Sequence, residues 1–121
     1  GAGQLGYYQA ARTRRLYTVT PAAVTAAATF GDAPLNTWER WIVVIDGTSD
    51  GGAATVTAYV DGVSTAVSGS AYSMTIAANA AIFLGSVITT GAVDMLYVEG
   101  WNRALNAVSC AQLDTDMQAY A

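Results

Sequence analysis

The chain has 121 residues, of which 53% are apolar and only 12% charged, a balance that excludes a disordered segment and suits a single domain with one hydrophobic core. Five arginines, without lysine or histidine, face seven Asp and two Glu for a net charge of −4, too acidic to build a broad basic face for nucleic acid. The missing histidine removes Ser-His-Asp and Cys-His catalysis, and the single cysteine permits neither an internal disulfide nor a zinc cluster.

Period two dominates the chain from its start. Gly6–Ala10 and Arg15–Thr20 alternate like short strands, and Val24–Phe30 follows as a third. The alanines of that third segment suit a helix equally well, but its β-branched residues and the closing Gly31-Asp32 favour a strand. Trp41–Ile45 is a continuous apolar run, the pattern of a strand buried on both faces. Ala54–Val60 alternates again, with Val56, Ala58 and Val60 on one side, and ends at Asp61-Gly62, the dipeptide that a type I′ hairpin turn requires. Val63–Val67 returns from that turn, and Ala81–Gly85 and Met95–Val98 read as two further strands. Only the tail changes period. After Asn106, a plausible N-cap, the residues Cys110, Leu113, Met117 and Tyr120 recur every three or four positions as one apolar helical stripe, with Asp114 and Asp116 expected on or near the outer face. No run of about 18 apolar residues occurs, so no membrane span is expected. The Gly1-Ala2-Gly3 start lacks the features of a signal peptide and reads as that of a chain cleaved, trimmed or only partly sequenced.

Trp41-Ile42-Val43-Val44-Ile45-Asp46, then Ala58-Tyr59-Val60-Asp61-Gly62-Val63, then Ile82-Phe83-Leu84-Gly85, and finally Asp94 to Leu105 with its Asn102-Arg103-Ala104-Leu105 turn follow one another in an order that resembles laminin-G-like, concanavalin A-like domains. The resemblance covers about residues 38 to 120. It implies an all-β, antiparallel two-sheet jelly-roll sandwich closed by one short C-terminal helix, and an N-terminally short one, because about fifty residues more usually precede the Trp41 position. It also implies a binding or adhesion role on phage particles or cell surfaces, hence an extracellular or virion-surface location. The partners expected are other protein subunits, the missing N-terminal segment, or glycans.

Several side chains are candidates for contact with a ligand. Trp38 and Tyr72 fall in loop-like stretches, where a ring is free to stack on a sugar, whereas Trp41 and Trp101 sit in apolar strand patterns and read as core. Arg12 and Arg14 share one face by alternation and suit an acidic partner or an acidic glycan; the competing reading makes them solvated guards on an edge strand. Arg103 reads as a tie across the last turn, bonding Asp94 or Glu99. Asp46 and Asp50, in Asp46-Gly47-Thr48-Ser49-Asp50-Gly51, offer oxygens at the spacing of a calcium loop, although Thr57 stands where a bidentate glutamate would close it. Calcium is therefore the one cofactor considered, with Asp32 and Asp94 as further donors. Glu39 and Glu99 are the only glutamates, and the paired-carboxylate strand of jelly-roll glycosidases has no counterpart, so no enzyme activity is expected.

Overall fold

The computed structural model describes residues 2–8, 13–19, 24–47, 53–68, 72–73, 82–84, 96, 98–101 and 103–120. These form eight strands and one helix: β1 (Ala2–Tyr8), β2 (Thr13–Val19), β3 (Val24–Asp32), β4 (Trp41–Gly47), β5 (Ala53–Val60), β6 (Val63–Thr65), β7 (Tyr72–Ser73), β8 (Ile82–Leu84) and α1 (Ala107–Gln118). The first sheet has the order β3-β2-β1-β8, and the second runs β4-β5-β6 with β7 also against β5. The β-rich architecture with a single C-terminal helix is thus as the sequence implies. One pairing departs from the antiparallel rule: β1 lies parallel to β8, with Gly3, Gln4 and Leu5 opposite Ile82, Phe83 and Leu84. All other strand pairs are antiparallel.

The two sheets meet through apolar side chains and one backbone bridge. Leu16 of β2 and Ala28 of β3 are buried against Val43 and Ile45 of β4, Val56 of β5, and Val67. Thr29 and Ser68 exchange two N–H···O bonds of 2.8 Å, joining β3 to the segment after β6. Alternation then assigns the faces. Arg14 and Leu16 are buried while Thr13 and Arg15 are half-buried, so Arg14 points between the sheets with the core residues. On β4 the same parity puts Trp41, Val43 and Ile45 inward and leaves Ile42 buried on the other face, as a run covered on both sides requires.

The β5–β6 hairpin turns as its sequence demands: Asp61 has φ of 51° and Gly62 φ of 81°, the two left-handed centres of a type I′ turn. At α1, the Asn106 side chain accepts a 2.8 Å hydrogen bond from the Ser109 N–H, satisfying a donor that the first turn leaves open. Three expectations fail here. Leu96 and Val98 are exposed and lie in no strand, so the described residues of 95–98 do not continue the sheet. Trp101, read as core, is 49% exposed and carries the Arg103 guanidinium 5.9 Å from its ring centre, a cation–π contact that holds Arg103 on the surface of the turn. Tyr120 is exposed too, because the helix is in contact along Cys110, Leu113, Asp114 and Met117 and ends before the stripe completes another turn. No helix among the described residues is long and apolar enough to cross a membrane.

Candidate functional site

The segment between β3 and β4 is fixed by two ion pairs that begin at adjacent residues and point to opposite sides of the second sheet. On the inner side, Arg14 donates through Nη2 to Glu39 Oε1 at 2.6 Å and through Nε to Glu39 Oε2 at 3.0 Å, a fork-to-fork pair with both side chains almost fully buried. The same guanidinium donates to the Phe30 carbonyl at 2.9 Å and lies 5.9 Å from the centre of the Trp41 ring. The Trp41 indole N–H donates to Glu39 Oε2 at 2.8 Å, and its ring meets Phe30 edge to face at 5.3 Å. Every polar atom named in this cluster therefore has a partner, which is the condition for burying charge at all.

On the outer side, Arg40 grips both the β5–β6 turn and α1. Its backbone N–H donates to Asp61 Oδ1 at 3.0 Å, its carbonyl accepts from the Asp61 N–H at 2.9 Å, and its Nη1 lies 3.6 Å from the same carboxylate. Its Nε donates to Asp114 Oδ1 at 2.9 Å and its Nη2 to Asp114 Oδ2 at 3.4 Å, while Gln118 donates to Asp114 Oδ2 at 3.1 Å. Asp114, expected to face outward, is instead buried, because Arg40 supplies a charge that the helix itself lacks. Two glycines with positive φ stand directly against these pairs. A Cβ on Gly31 (φ 78°) would lie 3.1 Å from Arg14 Nη1, and one on Gly62 would lie 2.8 Å from Asp114 Oδ2.

Between these anchors the loop turns outward. Ala33 is buried, Asn36 takes a left-handed φ of 54°, and Thr37 donates from Oγ1 to the Leu35 carbonyl at 3.2 Å. Leu35 and Trp38 are left 67% and 64% exposed. Trp38 thus precedes two consecutive residues that are tied down, and it offers an indole face to solvent from a fixed base.

The remaining candidates are placed differently. Arg14 is no guard on an edge: β2 is flanked by β1 and β3, and the guanidinium is engaged inside the fold, which removes it from the surface contacts considered for it. Arg12 and Asp50 lie outside the described residues, as do Asp94 and Asn102. Tyr72 belongs to β7, opposite Ala54 of β5, and not to a loop. Asp46 is exposed near the end of β4, opposite Thr55, and Asp32 accepts a 2.8 Å hydrogen bond from Thr13. No group of three or more acidic, thiol or imidazole side chains suited to a metal occurs among the described residues. Cys110 is buried, and that burial pushes its thiol pKa up, away from the thiolate a nucleophile needs.

Glu39, Arg40 and Asp114 are the residues that sequence reasoning missed as a site. Arg14 stands two positions before Leu16 in a strand, so alternation places it on the core face. Asp114 stands four positions after Cys110, on the same helical stripe.

The electrostatics follow from the partners. Burial raises the Glu39 pKa, but the hydrogen bonds from Arg14 and Trp41 and the charge of Arg14 outweigh it, leaving the carboxyl below its ordinary value. The hydrogen bond from Arg40 lowers the Asp114 pKa against an opposing effect of burial, with Gln118 and the Arg40 charge adding to the fall. A carboxylate depressed in the folded state adds stability above its unfolded pKa, about 3.9 for Asp and 4.3 for Glu, and that stability is lost as pH falls through the folded value. The urea midpoint should therefore hold level down to about pH 5 and fall below about pH 4, with no histidine titrating between. Glu39→Gln and Asp114→Asn should each flatten the acid limb; variants as steep as the parent chain would remove these carboxylates from the linkage.

Comparison with known proteins found no matching family model, no matching curated protein and no matching solved structure.

Proposed function

We propose that the chain is a non-enzymatic attachment module that binds through the β3–β4 loop, with the Trp38 indole as its contact. The observation that carries this reading is the pairing of exposure with anchorage: Trp38 is 64% exposed, yet the next two residues are held by carboxylate–guanidinium forks. A large ring presented from a braced base loses little conformational entropy on binding, which is what an aromatic anchor needs. A pyranose ring is the ligand proposed for it, stacked on the indole face with Leu35 beside it on the same loop. The laminin-G-like resemblance supports this reading, and the jelly-roll arrangement and the extracellular or virion-surface setting belong to the proposal with it. The glutamate nearest the loop also supports a non-catalytic role, since Glu39 is committed to Arg14 and Trp41 and held as a carboxylate, whereas a general acid needs its pKa raised.

The second reading is a structural subunit of a fibre or particle, in which Trp38 and Leu35 meet another polypeptide. Large exposed apolar side chains favour it equally. A glycan array with the parent chain and Trp38→Ala separates the two. The lectin reading expects array signal that Trp38→Ala abolishes at unchanged thermal stability, because an exposed ring contributes little to folding. Absence of signal, together with a stable oligomer in sedimentation that Trp38→Ala dissociates, would select the subunit. Absence of both would overturn the role given to this loop.

A further inference from the structure

Helix α1 is attached in an uncommon way. A helix docked on a sheet ordinarily buries a stripe of large apolar side chains. Here the two buried residues of α1 are Cys110, at 1% exposure, and Asp114; Leu113 and Met117 are half-buried, and Val108 is 80% exposed. The small thiol contributes little apolar area, so among the described residues the fork between Asp114 and Arg40 is the main specific tie between the helix and the second sheet. Facing the Asp114 carboxylate are Arg40 from the loop before β4, Gly62 and its neighbour Asp61 from the β5–β6 turn, and Gln118 from α1 itself. Asp61 is a like charge held on the same Arg40, so it competes with Asp114 for that guanidinium and weakens the latch.

We propose that α1 is a releasable strap, latched by Asp114 on Arg40, that lifts from the second sheet while the two sheets stay folded. Local units of this kind open below the free energy of global unfolding when few apolar contacts hold them. The sheets have their own fastening in the Leu16–Ala28 core and the Arg14–Glu39 pair, neither of which involves α1. Release would leave Arg40 paired with Asp61 alone, two residues from Trp38, and so would change the charge beside the proposed contact. The strap itself does not depend on what Trp38 binds.

Cys110 reports the motion, since it is the single cysteine and is buried only while the helix is docked. In the full chain under native conditions, labelling by a neutral maleimide should proceed through opening of α1. Asp114→Asn should speed it about ten- to a hundredfold, the range of a charge-assisted hydrogen bond, while the strand signal of the native chain is retained. Raising salt from about 0.1 to about 1 M, which shortens the screening length from about 10 to about 3 Å, should speed labelling of the parent chain and leave Asp114→Asn unchanged. Three results would overturn the strap: equal labelling rates in the two chains, parent-chain labelling that falls in step with global unfolding across denaturant, or loss of the strand signal in Asp114→Asn.

Discussion

Replacing Glu39 with alanine is expected to lower the folding free energy by about 3–5 kcal/mol, the cost of leaving a buried charge without its counter-ion. Arg14 is 7% exposed and cannot reach bulk water by a rotamer change while its Nη1 remains on the Phe30 carbonyl. The Trp41 indole N–H loses its acceptor in the same step. Against a total of about 5–15 kcal/mol for a domain, the variant should be largely unfolded at moderate urea where the parent chain is native. Glu39→Gln keeps one acceptor oxygen but sets an amide NH2 against a donor on the other side and removes the charge, so it should fall between the two. Chemical denaturation followed by tryptophan fluorescence measures all three. A loss below about 1 kcal/mol in Glu39→Ala would mean that Arg14 finds water or another partner without cost.

The second large effect is expected at Gly62. Alanine there keeps φ near 81° at about 1–2 kcal/mol, and its Cβ would lie 2.8 Å from Asp114 Oδ2 and 3.2 Å from Asp114 Cγ. The carboxylate must move, and the fork on Arg40 weakens with it, adding about 1.5–3 kcal/mol if the bonds are lost. Together these amount to a fall of roughly 8–20 °C in Tm for a domain of this size. A double-mutant cycle separates the two parts. With Asp114 already alanine, Gly62→Ala should cost only the backbone strain, so the two changes should be markedly less than additive. Full additivity would show that the turn and the helix do not share the carboxylate.

What was legible in the sequence was local. The strand read at Val24–Phe30, the Asp61-Gly62 turn and the Asn106 cap each follow from the φ/ψ needs or hydrogen-bonding reach of a few neighbouring residues, although the strand runs on to Asp32. The site was not legible in this way, because it is made by pairs far apart in the chain: Arg14 with Glu39 across 25 positions and Arg40 with Asp114 across 74. Charge is read by default as solvated, and only a partner reverses that reading. Arg14 reads with Arg12 as a surface charge and Asp114 as lying on or near the outer face of the helix, because neither local pattern names the opposite charge that buries them. Trp101 misled for the complementary reason, since an apolar pattern around a ring does not by itself supply a sheet to bury it.

Backbone order at the β3–β4 loop is the most direct test of the central claim, that Trp38 is held out to solvent from a braced base. Amide relaxation should give order parameters near 0.85 for residues 38–40, about the value of the flanking strands, despite the exposure of the ring. In Asp114→Asn, which releases one brace, the value at Trp38 should fall while that of Val43 stays. Order parameters below about 0.6 at Trp38 and Glu39 in the parent chain would contradict the account, because a loop that mobile on the ps–ns timescale is not clamped by its two ion pairs.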